Sequence, residues 1–487
     1  MRMEKTFYIT TTLPYVNAEP HLGHALEFVR ADVVARYKKI LGFDVFFNTG
    51  TDEHGQKIWN AAIKENVKIE NYVKENAQKF KNLLRELNVL EEIHFIRTTD
   101  SRHIAGAQKL WELVFQNGFI YKASYKTKYC VGCELEKTDS ELVNNRCPEH
   151  PNLEIIEIDE ENYFFKFSAF QKKLLDLYSS RPDFVLPKSR MNEIISFVSK
   201  GLNDFSVSRL KKKMPWGVPV PGDDSHIMYV WFDALANYIT TLGWPENKEE
   251  FNKFWVNGMP TQYCGQDNLR QQAAMWQAIL MAAGLPNSYQ IVVNGFVTGA
   301  GGIKMSKTLG NVIDPKKLVS HYGTDAFRYY VVHHIHPWDG SPVTYESFHE
   351  AYNASLVNGL GNLVSRILMM AEKHLLQPVD VSIENLPEEW HKSLSAFRID
   401  LACDYIWEKI SNLDKAINED KAFNIVKDDI EKARKLIIKY VKELSMIAKM
   451  LEPILPQTSK EIEKYIKLNK KPEAMFPRKE IFKLSFR

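Results

Sequence analysis

The stretch TFYITTTLPYVNAEPHLGHALEFVRADVVARYKKILGFDVFFNTG, residues 6–50, decides the fold. Its first residues, Thr6–Thr12, are β-branched and aromatic, so they predict a strand. Pro14, Asn17 and Pro20 follow as a turn. From Gly23 onward the apolar residues Leu26, Val29, Val33, Tyr37 and Ile40 recur at steps of three and four. That spacing predicts an amphipathic helix, with Gly42 where a helix stop belongs. Phe43–Asn48 reads as a second, buried strand. A strand, a helix and a strand in this order make a βαβ unit, which implies an α/β fold with a parallel sheet.

Outward from that unit, residues 116–228 break the rhythm. They hold a cysteine cluster, Gly- and Pro-rich turns and aromatic strand-like pieces such as Tyr163–Phe167, so they read as an insertion between residues 1–115 and 229–320 of one α/β domain. The α/β pattern resumes at Tyr229–Tyr238, and Tyr289–Val297 (Tyr-Gln-Ile-Val-Val-Asn-Gly-Phe-Val) predicts an interior strand. Residues 321–350 form a linking subdomain. From 351 to 487 long helical stretches take over (Ala351–Leu376, Ser393–Asn418 and Lys421–Met450), which predicts a helix bundle. The lysine-rich tail after Lys467 reads as a solvated end segment.

The whole chain of 487 residues suggests about three domains. Its balance of 63 basic and 61 acidic residues leaves a net charge of only +2, so any polyanion-binding face is a local patch. The five cysteines do not form a disulfide framework, because three fall within residues 130–147 and two, Cys264 and Cys403, stand apart. No signal peptide is visible, and no uninterrupted apolar run approaches the ~18 residues of a membrane span. The expectation is a cytoplasmic protein with no membrane partner.

Three constellations carry chemistry. His21-Leu22-Gly23-His24 follows a strand and turn and opens a helix. A helix N-terminus offers unpaired N–H groups and positive potential to phosphate. Two imidazoles there can hydrogen-bond a polyphosphate, and Gly23 leaves room for a flat ring to approach the backbone. Gly301-Gly302-Ile303-Lys304-Met305-Ser306-Lys307-Thr308 supplies a glycine loop with two amines three residues apart, suited to neutralising a phosphoryl group. Taken singly, either could be an ordinary surface turn. The third, Cys130-Val-Gly-Cys133 and, after thirteen residues, Cys147-Pro-Glu-His150, offers four ligands for tetrahedral zinc. A redox Cys-x-x-Cys is the rival, but it needs no second paired turn. Four protein ligands close the site, so one structural zinc per chain is expected.

The first two constellations together resemble the HIGH and KMSKS signatures of class I aminoacyl-tRNA synthetases, with Leu22 and Thr308 as mild replacements. The resemblance implies a Rossmann-type parallel sheet split by the zinc-knuckle insertion and followed by an all-α anticodon-binding bundle. It implies that His21, His24, Lys304 and Lys307 are catalytic, with Gly23, Asp267, Lys304 and Lys307 on ATP and its Mg²⁺. Further segments are similar to the methionyl-tRNA synthetase family over nearly the whole chain. By that resemblance Leu13 and Tyr15 (in Thr10-Thr-Thr-Leu-Pro-Tyr15) and Trp231, Ala234, Leu235 and Tyr238 line a methionine pocket, and Asp52 (in Gly50-Thr-Asp-Glu-His-Gly55) takes the α-ammonium. Aromatic edges suit a polarisable thioether.

Asn362 and Arg366 (in Asn362-Leu-Val-Ser-Arg366) match anticodon-contacting positions, and Phe423 stands where the family has a stacking tryptophan. The expected partners are thus ATP, L-methionine and tRNA(Met). No room remains after the bundle for the extra domain that makes some relatives dimers, so a monomer is expected. The insertion is too small for the editing domain needed where one methylene must be discriminated. A cysteine-specific relative would keep an open zinc position. The departures are Gln266, in place of a lysine, and Asn268 and Gln272, where an aliphatic residue and a histidine are common. A small-molecule adenylyltransferase and a non-catalytic RNA-binding protein are the rivals from other classes. The first needs neither knuckle nor bundle, and the second would not keep the nucleotide motifs.

Overall fold

The computed structural model describes residues 5–482 apart from 304, 306–311 and 384. Packing divides the chain into two units, residues 1–20, 43–82 and 92–293 in the first and residues 21–42, 83–91 and 294–487 in the second.

The first unit is built on a six-stranded sheet in the order β3 (His94–Arg97), β2 (Asp44–Thr51), β1 (Thr6–Thr11), β12 (Pro260–Gly265), β13 (Gln290–Asn294) and β7 (Val185–Leu186). β1 pairs in parallel with both β2 and β12, β2 with β3, and β13 with β7. The parallel sheet expected from the βαβ reading is there. Five of the six residues of β1 are buried, because both faces are covered, as parallel strands require. The strand order runs outward from β1 in both directions, so a crevice opens at the carboxyl ends of β1 and β12.

The insertion folds as antiparallel sheets. β4 (Ile120–Cys130) pairs with β6 (Ile156–Phe165) from Ile120↔Phe165 to Tyr129↔Ile156, flanked by β5 (Leu135–Lys137) and β8 (Phe205–Ser206). β9 (Ser208–Leu210), β10 (Pro219–Val220) and β11 (Asp223–Met228) form a second small sheet. β7 also lies within 116–228, yet it extends the central sheet, with Val185 opposite Ile291. The helices Gln171–Ser180 and Lys188–Ser199 bury Leu174, Tyr178, Met191, Ile194 and Val198 in the same core as Trp276 and Ile291.

The strand expected over Tyr289–Val297 ends at Asn294, and Val297–Thr298 (β14) pairs instead with Ser341–Pro342 (β15). Gly295 is the break. Its N–H donates to Pro337 O at 3.0 Å, and a Cβ there would lie 2.2 Å from Asp339 O, so only glycine permits the approach.

In the second unit α1 (Leu22–Ile40) carries buried charged residues that are hydrogen-bonded or ion-paired. Arg30 donates to Asn294 Oδ1 at 2.9 Å and to Ile335 O at 2.5 Å, while Asp32 holds Arg36 and Arg328, both at 2.7 Å. The bundle is built from Asn362–His374, Ile399–Asp420, Ile430–Leu451 and Pro456–Leu468. The helix expected over Lys421–Met450 is interrupted. Lys421 takes a left-handed φ of 47°, and Asp429 restarts the helix by accepting from Lys432 N at 2.9 Å. The tail is not solvated throughout: Phe476 is buried and Tyr352 Oη donates to Pro477 O at 2.7 Å. Tyr345–His374 is one continuous helical run long and apolar enough to cross a membrane by length and composition. Its Leu356, Leu360, Leu363, Val364, Ile367 and Leu368 are buried as core residues of the bundle.

Candidate active site

Three parallel strands deliver the site of the first unit from their carboxyl ends: Leu13 and Tyr15 after β1, Asp52 after β2, and Gly265–Asp267 after β12. Tyr15 and Asp52 continue the parallel pairing as a single bridge, with Asp52 N donating to Pro14 O at 3.0 Å. Trp231, on the short helix Val230–Leu235, meets Tyr15 edge-on with ring centroids 6.3 Å apart. Its indole Nε1 is buried with no hydrogen-bond partner among the described residues. Leu13, Ala234, Leu235 and Tyr238 are buried, and Leu235 and Tyr238 join the core beneath.

Asp52 is buried. That burial, then the carboxylates of Asp233 and Glu134, raise its pKa well above the usual carboxylate range. A buried acid crowded by other acids is poised for a cation. Asp233 behaves oppositely. Burial works to raise it, but His54 and His103 outweigh that and hold it down to about 2. His54 Nδ1 lies 2.6 Å from Asp233 Oδ2, and His103 Nε2 lies 2.7 Å from Oδ1. This pair ties the loop that carries Asp52 to the helix that carries Trp231.

Gln272, one of the three departures from the family pattern, has a definite place. A π-helical turn, Gln271–Met275, aims its amide at Tyr238, whose phenol oxygen accepts from Gln272 Nε2 at 2.5 Å. Gln272 Oε1 accepts in turn from Gln262 Nε2 at 2.5 Å, and Gln262 Oε1 from Ser288 Oγ. This buried run passes from donor to acceptor from Ser288 through Gln262 and Gln272 to Tyr238. Asp267 is exposed in the turn after β12, with Asn268 beside it donating at 3.4 Å. Gln266 begins the same turn.

The metal cluster lies in the insertion. Cys130 Sγ, Cys133 Sγ, Cys147 Sγ and one His150 ring nitrogen all fall within 4.8 Å of one another. Cys133 Sγ is 3.4 Å from Cys147 Sγ and 3.3 Å from His150 Nδ1, spacings a tetrahedral ion can bridge. A Cβ on Gly132 would sit 2.3 Å from the His150 ring, so the first hairpin needs glycine there. The donor set fits a metal ion.

In the second unit His21 is the N-cap of α1 and forms a reciprocal box with His24. His21 Nδ1 accepts from Gly23 N, and His24 Nδ1 accepts from His21 N, each at 3.2 Å. The rings stack with centroids 3.6 Å apart. Burial of the imidazole brings His21 down to about 4, although the residue keeps an exposed edge. Burial and His21 together lower His24 well below the usual histidine range. Both rings are therefore neutral near pH 7, and with Nδ1 accepting from backbone each carries its proton on Nε2. They offer two neutral N–H donors beside a helix N-terminus. Gly23 sits close under the stack, where a Cβ would lie 3.1 Å from the His21 ring. Lys304 and Lys307 lie outside the described residues.

In the bundle, Arg366 is engaged by Asp414 and, at 2.6 Å, by Asn418. Those contacts bring it to the end of helix Ile399–Asp420, just before Phe423, which is 52% exposed. Asn362 is exposed at the start of its helix. An exposed aromatic suits an unstacked base.

Sequence reasoning passed over His54, His103, Asp233 and Glu134. His54 and Asp233 stand inside quoted motifs, and Glu134 directly follows a metal ligand.

The family model for tRNA synthetases class I (M) matches residues 7–154 and 154–368. The methionine–tRNA ligase of Caldanaerobacter subterraneus is 38% identical over 94% of this chain and 74% of its own length. That of Nostoc sp. is 38% identical over 95% of this chain and 90% of its own. Among solved structures, Mycobacterium tuberculosis methionyl-tRNA synthetase in complex with methionyl-adenylate superposes with a TM-score of 0.88 at 33% identity, covering 94% of this chain and 93% of that one. Its apo form gives 0.82 at 29% identity, over 98% and 99%. The chain therefore belongs to the methionyl-tRNA synthetase family of class I aminoacyl-tRNA synthetases.

Proposed function

We propose that the crevice at the ends of β1, β2 and β12 activates L-methionine with ATP, with the residue roles that follow. The chain is a methionine–tRNA ligase, making methionyl-adenylate and charging tRNA. Asp52 pairs with the α-ammonium. Tyr15, Trp231 and Tyr238, with Leu13, Ala234 and Leu235, enclose the thioether side chain. The substrate carboxylate attacks the α-phosphate of ATP, and pyrophosphate leaves. His21 and His24 donate Nε2–H to the nucleotide's phosphates, Gly23 admits the adenine, and Asp267 takes a ribose hydroxyl. Lys304 and Lys307 neutralise the departing pyrophosphate, with Mg²⁺ arriving on ATP. The methionyl group then passes to the terminal ribose of tRNA(Met), whose anticodon meets Asn362, Arg366 and Phe423. Zinc is the metal that Cys130, Cys133, Cys147 and His150 hold. With every position filled by protein it braces the knuckle. We take the working form to be a monomer in the cytoplasm.

The observation that carries the pocket assignment is Asp52, a buried acid in an acidic neighbourhood with no cation among the described residues to match it. Asp52→Asn is expected to raise the methionine KM by about 100-fold, as for a lost charge-assisted bond, while the ATP KM stays within about twofold. A methionine KM left unchanged would show that the ammonium sits elsewhere.

A further inference from the structure

Glu134 follows the metal ligand Cys133, takes a left-handed φ of 52° and is only 1% exposed. Nothing in the binding of the metal requires a buried acid at that position. Its carboxylate points out of the knuckle into the amino-acid site. Tyr15 Oη donates to Glu134 Oε2 at 2.5 Å, and the Lys57 backbone N–H donates to Oε1 at 3.2 Å. Lys57 belongs to the helix Gln56–Lys64, which starts where the Asp52 loop ends, and its ammonium lies 5.6 Å from the centre of the Tyr15 ring. Gly55, at φ 105°, passes so close that a Cβ would meet Glu134 Oε1 at 3.0 Å. Tyr229 Oη donates to the Glu134 carbonyl, tying the same residue to the segment that bears Trp231. One side chain thus touches the Tyr15 wall and the Asp52 loop, and its backbone holds the Trp231 segment.

We propose that Glu134 is a positioning residue through which the metal knuckle sets Tyr15 and the Asp52 loop, and so the affinity for the amino acid. The left-handed turn at Glu134 directly follows the metal ligand Cys133. With the knuckle braced, the carboxylate is presented at a fixed place. Without it, both donors lose their acceptor and Tyr15 is released from its edge contact with Trp231. Glu134 acts on binding and not on the reacting phosphate. The inference rests on reading this pocket as the methionine site.

The test uses the full-length, metal-loaded chain and titrates methionine without ATP, following tryptophan fluorescence, alongside pyrophosphate-exchange kinetics. Glu134→Ala is expected to weaken methionine binding by about 10- to 100-fold, with kcat and the ATP KM within about threefold. Glu134→Gln, which keeps one oxygen for the two donors, should recover part of that loss. Tyr15→Phe should also lose affinity, and adding it to Glu134→Ala should cost little more, because Glu134→Ala has already removed the Tyr15 bond. Chelating the metal should weaken methionine binding in the parent chain and add little in Glu134→Ala. If Glu134→Ala does not fold, Glu134→Gln and Tyr15→Phe carry the test. Unchanged methionine affinity in Glu134→Ala, or in Tyr15→Phe if Glu134→Ala does not fold, overturns the proposal, as does a loss accompanied by a comparable fall in kcat and rise in the ATP KM. Asp52→Asn separates the two readings: if it binds methionine normally the pocket assignment fails, whereas loss there with normal binding in Glu134→Ala and Tyr15→Phe sinks only the coupling.

Discussion

Asp233→Asn probes the frame that holds the pocket together. Asp233 sits buried between His54 and His103, at 2.6 and 2.7 Å, and those partners hold its pKa at about 2 against an ordinary 3.8. A displacement of just under two units at about 1.36 kcal/mol per unit makes the ionised, paired state worth roughly 2–3 kcal/mol of stability. The folded pKa is depressed, so this contribution is complete above about pH 4 and is lost as the pH falls through about 2. Asparagine keeps the shape but has one acceptor oxygen for two histidines, leaving one ring nitrogen unmatched in the interior. At pH 7 the variant should melt on the order of 5 °C lower than the parent, with the gap between them narrowing below pH 4. Its methionine KM should also rise, because the Asp52 loop and the Trp231 helix are no longer pinned to each other. Calorimetry and exchange kinetics on one preparation read both effects. A variant with the parent's melting temperature at pH 7 would refute the reasoning.

Other consequences are as specific. Because burial and neighbouring acids raise Asp52, it must lose its proton to pair with the substrate ammonium. The methionine KM should therefore fall as pH rises through the raised pKa, and a flat profile in the parent chain contradicts the assignment. Gln272→Leu removes the donor to Tyr238 and strands Gln262, so the methionine KM should rise about tenfold, read by exchange kinetics. Lys307→Ala should slow adenylate formation by about 10²–10³, the usual loss for one preorganised charge donor, measured by rapid quench. Metal analysis of the purified chain should find about one zinc per molecule, as expected for a closed site of three cysteines and a histidine.

Local pattern made much of this legible. The Thr6–Asn48 stretch announces a parallel pair because its two periodicities are unambiguous, and the Cys130–His150 spacing announces the knuckle because four ligands must meet within one ion's reach. What stayed hidden depends on distant partners. Nothing near Val185–Leu186 says that two residues of the insertion will extend the central sheet, since two residues carry no periodicity. The break at Gly295 depends on the backbone of Asp339, far along the chain. Asp233 and Glu134 acquire their roles only when His54, His103 and Tyr15 fold onto them. Phe423, which a bundle core could equally have taken, is exposed because Lys421 turns the chain out of its helix.

ATP–pyrophosphate exchange, run with each of the twenty amino acids in turn, tests most directly that this pocket selects and activates methionine. The account predicts rapid exchange with methionine and at most a trace with the others, including cysteine. Exchange driven equally well by another amino acid, or proceeding without any, would contradict it.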